Sequence, residues 1–327
     1  MNCWKNLLLS LLLLTSVSAF SQIKFRSIST VGGASLNRGT EFEYIVQANG
    51  NSNNTTKQLL FDIQYDLTNF ELVSVNHTGT GGNGGIGFGF ATGLAQAGAD
   101  IAIWARNIEK SEAAVKKLKS LGVNAKAFNV DVADKNQINN GMIDTEKEFG
   151  GVDILVANAG INIRKAPENY LPDEVDQIIK VNLTGVFDCC QAVYPSMKKR
   201  GGGKIITIGS LTSVFGFGIA PIYSATKGAV VQLTMSLANA WGRDNIQVNS
   251  VLPGWIKTEL TEQTRSLPDF VNRVLDRTPA GRWGEPTDFA GIAKFLGSSD
   301  SDFITGVAIP VDGGFTSTLF LVDPPTN

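Results

Sequence analysis

Tyr223 and Lys227 have the spacing that puts two side chains on one face of a helix. Ser210 stands thirteen residues upstream of Tyr223, just past the apolar run Lys204-Ile-Ile-Thr-Ile208. A phenol with its ordinary pKa of about 10 is a poor base near neutrality. An ammonium group beside it favours the phenolate, and a serine at a strand's exit can aim its hydroxyl at the same point. Together the three groups can hold a carbonyl or alcohol oxygen and exchange a proton with it. A Tyr-x-x-x-Lys pair also arises by chance on many helices as a solvated pair, so its meaning depends on its surroundings.

The surroundings change character along the chain. Residues 23–76 carry short runs of alternating apolar and polar residues, such as Ile23–Ile28, Phe42–Val46, Leu59–Tyr65 and Phe70–Val75, separated by turn-rich stretches such as Asn49–Asn54. That is the rhythm of a few antiparallel strands, too few to close a sandwich, and it loosely resembles the start of an immunoglobulin-like or cohesin-like domain. From Gly79 onward strands and helices alternate. Strands are expected at 101–105, 125–130, 152–157, 204–208 and 246–251. Helices are expected at 88–98, 111–120, 172–199 and 223–240. Such alternation over more than 200 residues predicts an α/β fold, a doubly wound parallel (Rossmann-like) sheet preceded by a short antiparallel β segment.

The composition is that of a globular chain of 327 residues, 43% hydrophobic and 18% charged with net charge −2. No basic stripe suggests nucleic acid as a partner. Residues 1–21 have a short positive start, an apolar stretch from Leu7 to Phe20 and small residues near Ala19, the pattern of a secretory signal peptide. The expected organisation is therefore a signal peptide over 1–21, a partial β segment over 22–78 and a dinucleotide-type domain over 79–327. Cys189 and Cys190, adjacent on a helix, read as small buried apolar residues rather than a disulfide or a metal site, and no metal is expected. This cysteine usage suits the cytoplasm, whereas the N-terminus points to export; no membrane association is expected once the signal is cleaved.

Thr80-Gly-Gly-Asn-Gly-Gly-Ile-Gly87 is a glycine-rich turn opening a helix, suited to bringing backbone N–H groups up to a pyrophosphate. With the residues already named, this turn resembles the short-chain dehydrogenase/reductase family over roughly residues 79–317. Thr80, Gly81, Asn83, Gly85, Ile86 and Gly87 fall on its cofactor turn, Asp131-Val132 on its adenine-side pair, and Asn158-Ala159-Gly160 on its strand-four motif. Asn182, Ser210, Tyr223 and Lys227 match its catalytic residues. Pro253-Gly254 with Ile256 and Thr258 matches the segment closing over the nicotinamide, and Val311-Asp-Gly-Gly314 its common ending.

The resemblance implies an NAD(P)-dependent enzyme interconverting an alcohol and a ketone. Tyr223 would be the general acid/base, and Lys227 would lower its pKa and bind the nicotinamide ribose. Ser210 would orient the substrate carbonyl, and Asn182 would hold a water on a proton path to Lys227. Ala105 lacks the acidic group that favours NAD and Arg106 is suited to a 2′-phosphate, so NADP is preferred over NAD, although Gly84 stands where many NADP-preferring relatives carry a basic residue. The run Asp276–Gly284 resembles the sugar-acid members of the family, such as gluconate 5-dehydrogenase, which implies a sugar acid or polyol as substrate; Arg164 reads either as a partner for a substrate carboxylate or as a surface arginine. The family's usual homotetramer would pack the helices of 172–199 and 223–240 against their mates, with Val186, Phe187 and Val193 suited either to that contact or to a simple core.

One expected element is missing in front of Thr80. The family's first strand should run into the turn as buried apolar residues, yet Ser74–Gly79 is mostly polar. Either Phe70–Val75 serves as a surrogate central strand with a longer loop, or the sheet lacks its centre. In the second case the chain would be an inert fusion of a reductase to an exported β segment.

Overall fold

In the computed structural model, residues 83–319 are described in full, together with the backbone of three strands: β1 (Ile23–Ser27), β2 (Tyr44–Ala48) and β3 (Glu71–Val75). The expected signal peptide, the expected strand at 59–65 and the turn residues Thr80 and Gly81 lie outside the described residues. The chain divides into two compact units, Met1–Gln64 and Tyr65–Asn327. In the first, β1 and β2 pair antiparallel with Ile23 opposite Ala48 and Ser27 opposite Tyr44.

The second unit is built on a seven-stranded parallel sheet. After β3 come α1 (Gly85–Gln96), β4 (Asp100–Ala105), α2 (Ile108–Lys119), β5 (Ala125–Asn129), α3 (Lys135–Phe149) and β6 (Ile154–Ala157). Then follow α4 (Pro172–Ile179), a π-helical segment (Lys180–Thr184), α5 (Gly185–Arg200), β7 (Gly203–Ile208), α6 (Pro221–Trp241) and β8 (Ile246–Pro253). Short helices α7 (Glu262–Arg265), α8 (Pro268–Arg277) and α9 (Ala290–Gly297) precede the edge strand β9 (Ala308–Val311). The strand order is β5-β4-β3-β6-β7-β8-β9.

β3 is therefore the central strand. It pairs parallel with β4, Glu71 with Asp100 through Val75 with Trp104, and on its other side with β6, Leu72 with Ile154 through Val75 with Ala157. Of the two alternatives posed by the sequence, the structure takes the surrogate strand. The sheet thus begins with residues whose local pattern belongs to the preceding β rhythm, ahead of the Gly79 boundary. The strand order reverses between β3 and β6, which opens a crevice at their carboxyl ends.

Alternation along the strands sorts the core into two layers. Ile101, Ile103, Ile154, Val156, Ile206 and Ile208 face one side and pack with Phe90 and Leu94 of α1, Val115 and Leu118 of α2, and Ala293 and Leu296 of α9. Trp104, Leu155 and Ile205 face the other, against Ile138 and Met142 of α3, Val193 and Met197 of α5, and Val230 and Leu237 of α6. Val186 and Val193 belong to this second layer, with 3% and 0% exposure, so neither is a surface group; Phe187 beside them is exposed. Cys189 and Cys190 are buried free thiols in the same layer, and burial pushes the Cys190 thiol up to about 12. Among the described residues no helix is long and apolar enough to cross a membrane.

Candidate active site

Three elements converge at the crevice. Ser210 follows β7 in extended conformation, and its Oγ accepts from Thr212 N at 3.1 Å while Ser213 Oγ accepts from Ser210 N, also at 3.1 Å. Tyr223 and Lys227 lie in the first two turns of α6, which Pro221 opens at a position where its missing N–H costs nothing. Behind them the continuous helix from Pro172 to Arg200 widens by one π turn, and that turn carries Asn182. Single π turns of this kind recur at functional sites.

Asn182 is fully buried and clamps the backbone that follows the Asn-Ala-Gly motif. Its Oδ1 accepts from Ile161 N at 2.8 Å, and its Nδ2 donates to Ile161 O at 2.9 Å and to Thr226 Oγ1 at 3.2 Å. Lys227, 3% exposed, donates from Nζ to Ile208 O at 2.6 Å. A Cβ on Gly160 would stand 3.4 Å from Lys227 Nζ and 3.6 Å from Asn182 Oδ1, so this backbone runs beside both groups.

Electrostatics follow from this burial. With only a backbone carbonyl for a partner, the Lys227 ammonium loses solvation, and its pKa falls to about 8. Burial also raises the Tyr223 phenol; the Ser210 hydroxyl opposes that rise first and the Arg164 guanidinium second. The sequence assigned the lowering to Lys227. In the structure its Nζ lies 5.7 Å from the Tyr223 ring centre and is spent on Ile208, so the downward pull on the phenol comes from Ser210 and Arg164.

A cavity of about 110 Å³ joins most of the residues named from sequence: Ile86, Asn158, Gly160, Arg164, Ser210, Tyr223 and Lys227, together with Pro253, Gly254, Ile256 and Thr258. Asn182 and Ala159 lie buried behind its wall, and Gly87 is buried within α1. Gly85 takes φ +55° and opens α1, whose N-cap Gly84 has no side chain to accept from the first N–H groups of the helix, the end at which anions bind. Asn83 fastens this turn to α2 through Nδ2, to Asn107 O at 3.3 Å and Ser111 Oγ at 3.1 Å. At the exit of β4, Arg106 pairs with Asp131 at 3.3 Å, while Val132 is buried in the core.

The cavity also has walls that the motifs did not announce. Asn162, Thr212, Phe217, Trp255 and Leu260 line it. Trp255 packs edge-on against Phe217, Phe270 and Trp283, with ring centres 6.1, 4.9 and 5.6 Å apart. Asn162, Thr212 and Trp255 each sit within two residues of a motif position and were legible as neighbours; Phe217 carries no local signal. Four buried polar atoms of the lining have no partner among the described residues: Asn162 Oδ1, Arg164 Nε, Thr212 Oγ1 and Trp255 Nε1. Arg164 Nη2 donates to Leu260 O at 3.4 Å.

A doubly wound parallel sheet, an uncapped helix start at its switch point, and a half-buried tyrosine and a buried lysine beside the same crevice define a class, the doubly wound oxidoreductases. Residues 79–316 match the family described as enoyl-(acyl carrier protein) reductase. The chain is 39% identical over 251 residues to gluconate 5-dehydrogenase of Gluconobacter oxydans, covering 76% of this chain and 98% of that one. It is 41% identical over 245 residues to 5-keto-D-gluconate 5-reductase of Escherichia coli, covering 75% and 96%. A crystal structure of a gluconate 5-dehydrogenase from Burkholderia cenocepacia, in complex with NADP and tartrate, superposes with TM-score 0.74 at 39% identity, over 78% of this chain and 98% of that one. The chain belongs to the short-chain dehydrogenase/reductase family, and it is an oxidoreductase.

Proposed function

We propose that the protein is an NADP-dependent dehydrogenase that interconverts a secondary alcohol and a ketone on a sugar acid. The observation that carries the substrate class is the set of orphaned polar atoms in the cavity, Arg164 Nε, Asn162 Oδ1, Thr212 Oγ1 and Trp255 Nε1. Buried polar groups are rarely left unpaired, and a ligand that is both anionic and rich in hydroxyls would satisfy all four. Trp255 and Phe217 offer apolar faces to the carbon skeleton. The relatives act on gluconate or ketogluconate, and the structural neighbour holds NADP with tartrate, itself a hydroxy acid.

The residues present fit the dinucleotide. The uncapped start of α1 would take its pyrophosphate, Arg106 and Asp131-Val132 would border the adenosine, and Asn158–Gly160 with Pro253–Thr258 would enclose the nicotinamide end. When bound, the nicotinamide supplies or accepts the hydride. Tyr223 gives its phenolic proton to the ketone oxygen in reduction and takes it back in oxidation. Ser210 fixes that oxygen by a hydrogen bond. Lys227 binds the ribose hydroxyls, and Asn182 holds a water that passes a proton to it; a Cβ on Gly160 would lie within 3.6 Å of both groups. Assembly as a homotetramer belongs to the same proposal.

The presence of β3 at the centre of the sheet supports an active enzyme over an inert fusion. Steady-state kinetics with sugar acids and both cofactors test the reading. Tyr223→Phe is expected to lower kcat by about 10²–10⁴-fold while leaving cofactor binding unchanged. Arg164→Gln is expected to raise KM for the acid by about 10–100-fold, with little effect on an uncharged polyol. A Tyr223→Phe protein with full turnover would sink the mechanism.

A further inference from the structure

The turn between Asn83 and Gly87 carries no cation of its own. Another element brings one there. Lys110, in the first turn of α2, reaches across so that its Cε and Nζ each stand 3.2 Å from the point where a Gly84 side chain would begin. The reach has a fixed base, because Asn83 holds the turn to the backbone of Asn107 and the hydroxyl of Ser111 on either side of Lys110. Asn107 Oδ1 also accepts from Lys110 N at 2.9 Å and sets the start of the helix. Arg106 lies at the exit of β4, where a doubly wound fold reads the adenosine ribose. The β4–α2 connection thus carries a cation at each end, Arg106 beside Asp131 and Lys110 beside Gly84.

The present partner of Lys110 is Glu259, which comes from the segment after Thr258. Both groups are solvated, with side-chain exposures of 33% and 61%. A pair of this kind contributes little to stability and exchanges readily for a stronger anion. A phosphate monoester, with about 1.5 to 2 negative charges near pH 7 and three acceptor oxygens, is such an anion.

We infer that Lys110 is the second cation, beside Arg106, of the subsite for the 2′-phosphate of the dinucleotide, with Glu259 as its exchangeable counter-ion. The assignment rests on the NADP reading above. It also answers the missing basic residue in the turn: the charge is delivered from α2 into the space a side chain at position 84 would have filled. Glu259 then opposes the phosphate but not a ribose hydroxyl, so it tunes the choice between the two cofactors.

Calorimetric titration of the full chain with 2′,5′-ADP, 5′-AMP, NADPH and NADH tests this without turnover. Lys110→Met is expected to weaken 2′,5′-ADP and NADPH roughly tenfold and to leave 5′-AMP and NADH within about twofold. Glu259→Gln is expected to tighten NADPH about two- to threefold with NADH unchanged. Equal weakening of all four ligands by Lys110→Met would make the residue a general support of the turn and overturn the proposal. So would a variant that keeps the wild-type preference. If the wild type itself binds 2′,5′-ADP no better than 5′-AMP, the NADP reading fails and takes the assignment with it. Retained NADH binding certifies that the variant is folded, and the Glu259→Gln arm reads the same charge from the opposite side.

Discussion

Lys227 shows how a single residue can be set against the stability of its own fold. Its pKa is about 8 in the folded protein against 10.5 for a free lysine. Between those two values the unfolded chain binds more protons than the folded one, so stability rises with pH across that window. Below about pH 8 the fold bears the full cost of a buried ammonium, offset in part by the bond to Ile208 O. Lys227→Met is therefore expected to melt higher than wild type at pH 7, by roughly 1–3 kcal/mol, with the gain vanishing as pH approaches 10.5. Thermal melts at several pH values check this, and a variant that melts lower at pH 7 and higher at pH 10 would reverse the sign. Tyr223 bears no such load at pH 7, because burial raises the phenol's pKa and the group is neutral whether the chain is folded or unfolded.

At the scale of elements, the π turn Lys180–Thr184 ties the site together. By placing Asn182 against Ile161 and Thr226, it joins the segment after β6 to the helix that carries Tyr223 and Lys227. Asn182→Ala leaves the N–H and C=O of Ile161 without their amide partner and is expected to cost about 1–3 kcal/mol in denaturant unfolding. The matching expectation for activity is a loss in kcat larger than the change in KM. The type and order of these elements were legible from sequence, because Ile101–Ala105, Val152–Ala157 and Lys204–Ile208 are apolar runs that only a buried strand accommodates. The candidate catalytic residues were legible because each sits in a short local motif. Lys110 and Phe217 were not, since they enter the site only through the three-dimensional meeting of separate elements.

For the whole molecule the deciding feature is where the sheet begins. Ser74–Gly79 gave no sign of a central strand, because the pairing that makes Glu71–Val75 one comes from β4 and β6 and leaves no mark on the local pattern. With the compact units dividing at Gln64 and Tyr65, removal of residues 1–64 is expected to leave a folded protein that still binds the dinucleotide. Removal of residues 1–76 takes β3 away and is expected to abolish that binding and cooperative unfolding together. Fluorescence titration and thermal melts of the two truncations decide it; equal behaviour would show that the sheet does not need β3.

That strand also sets a timetable for folding. β3 alone joins the pair β5-β4 to the group β6-β7-β8-β9. It leaves the ribosome before any of its partners, and β6 follows only after α1, β4, α2, β5 and α3 have been made. Until then one half of the sheet can close around β3 while its other edge stays open. The crevice at the carboxyl ends of β3 and β6 is therefore a late product of synthesis, and cofactor affinity should appear in nascent chains only once Ala157 has emerged.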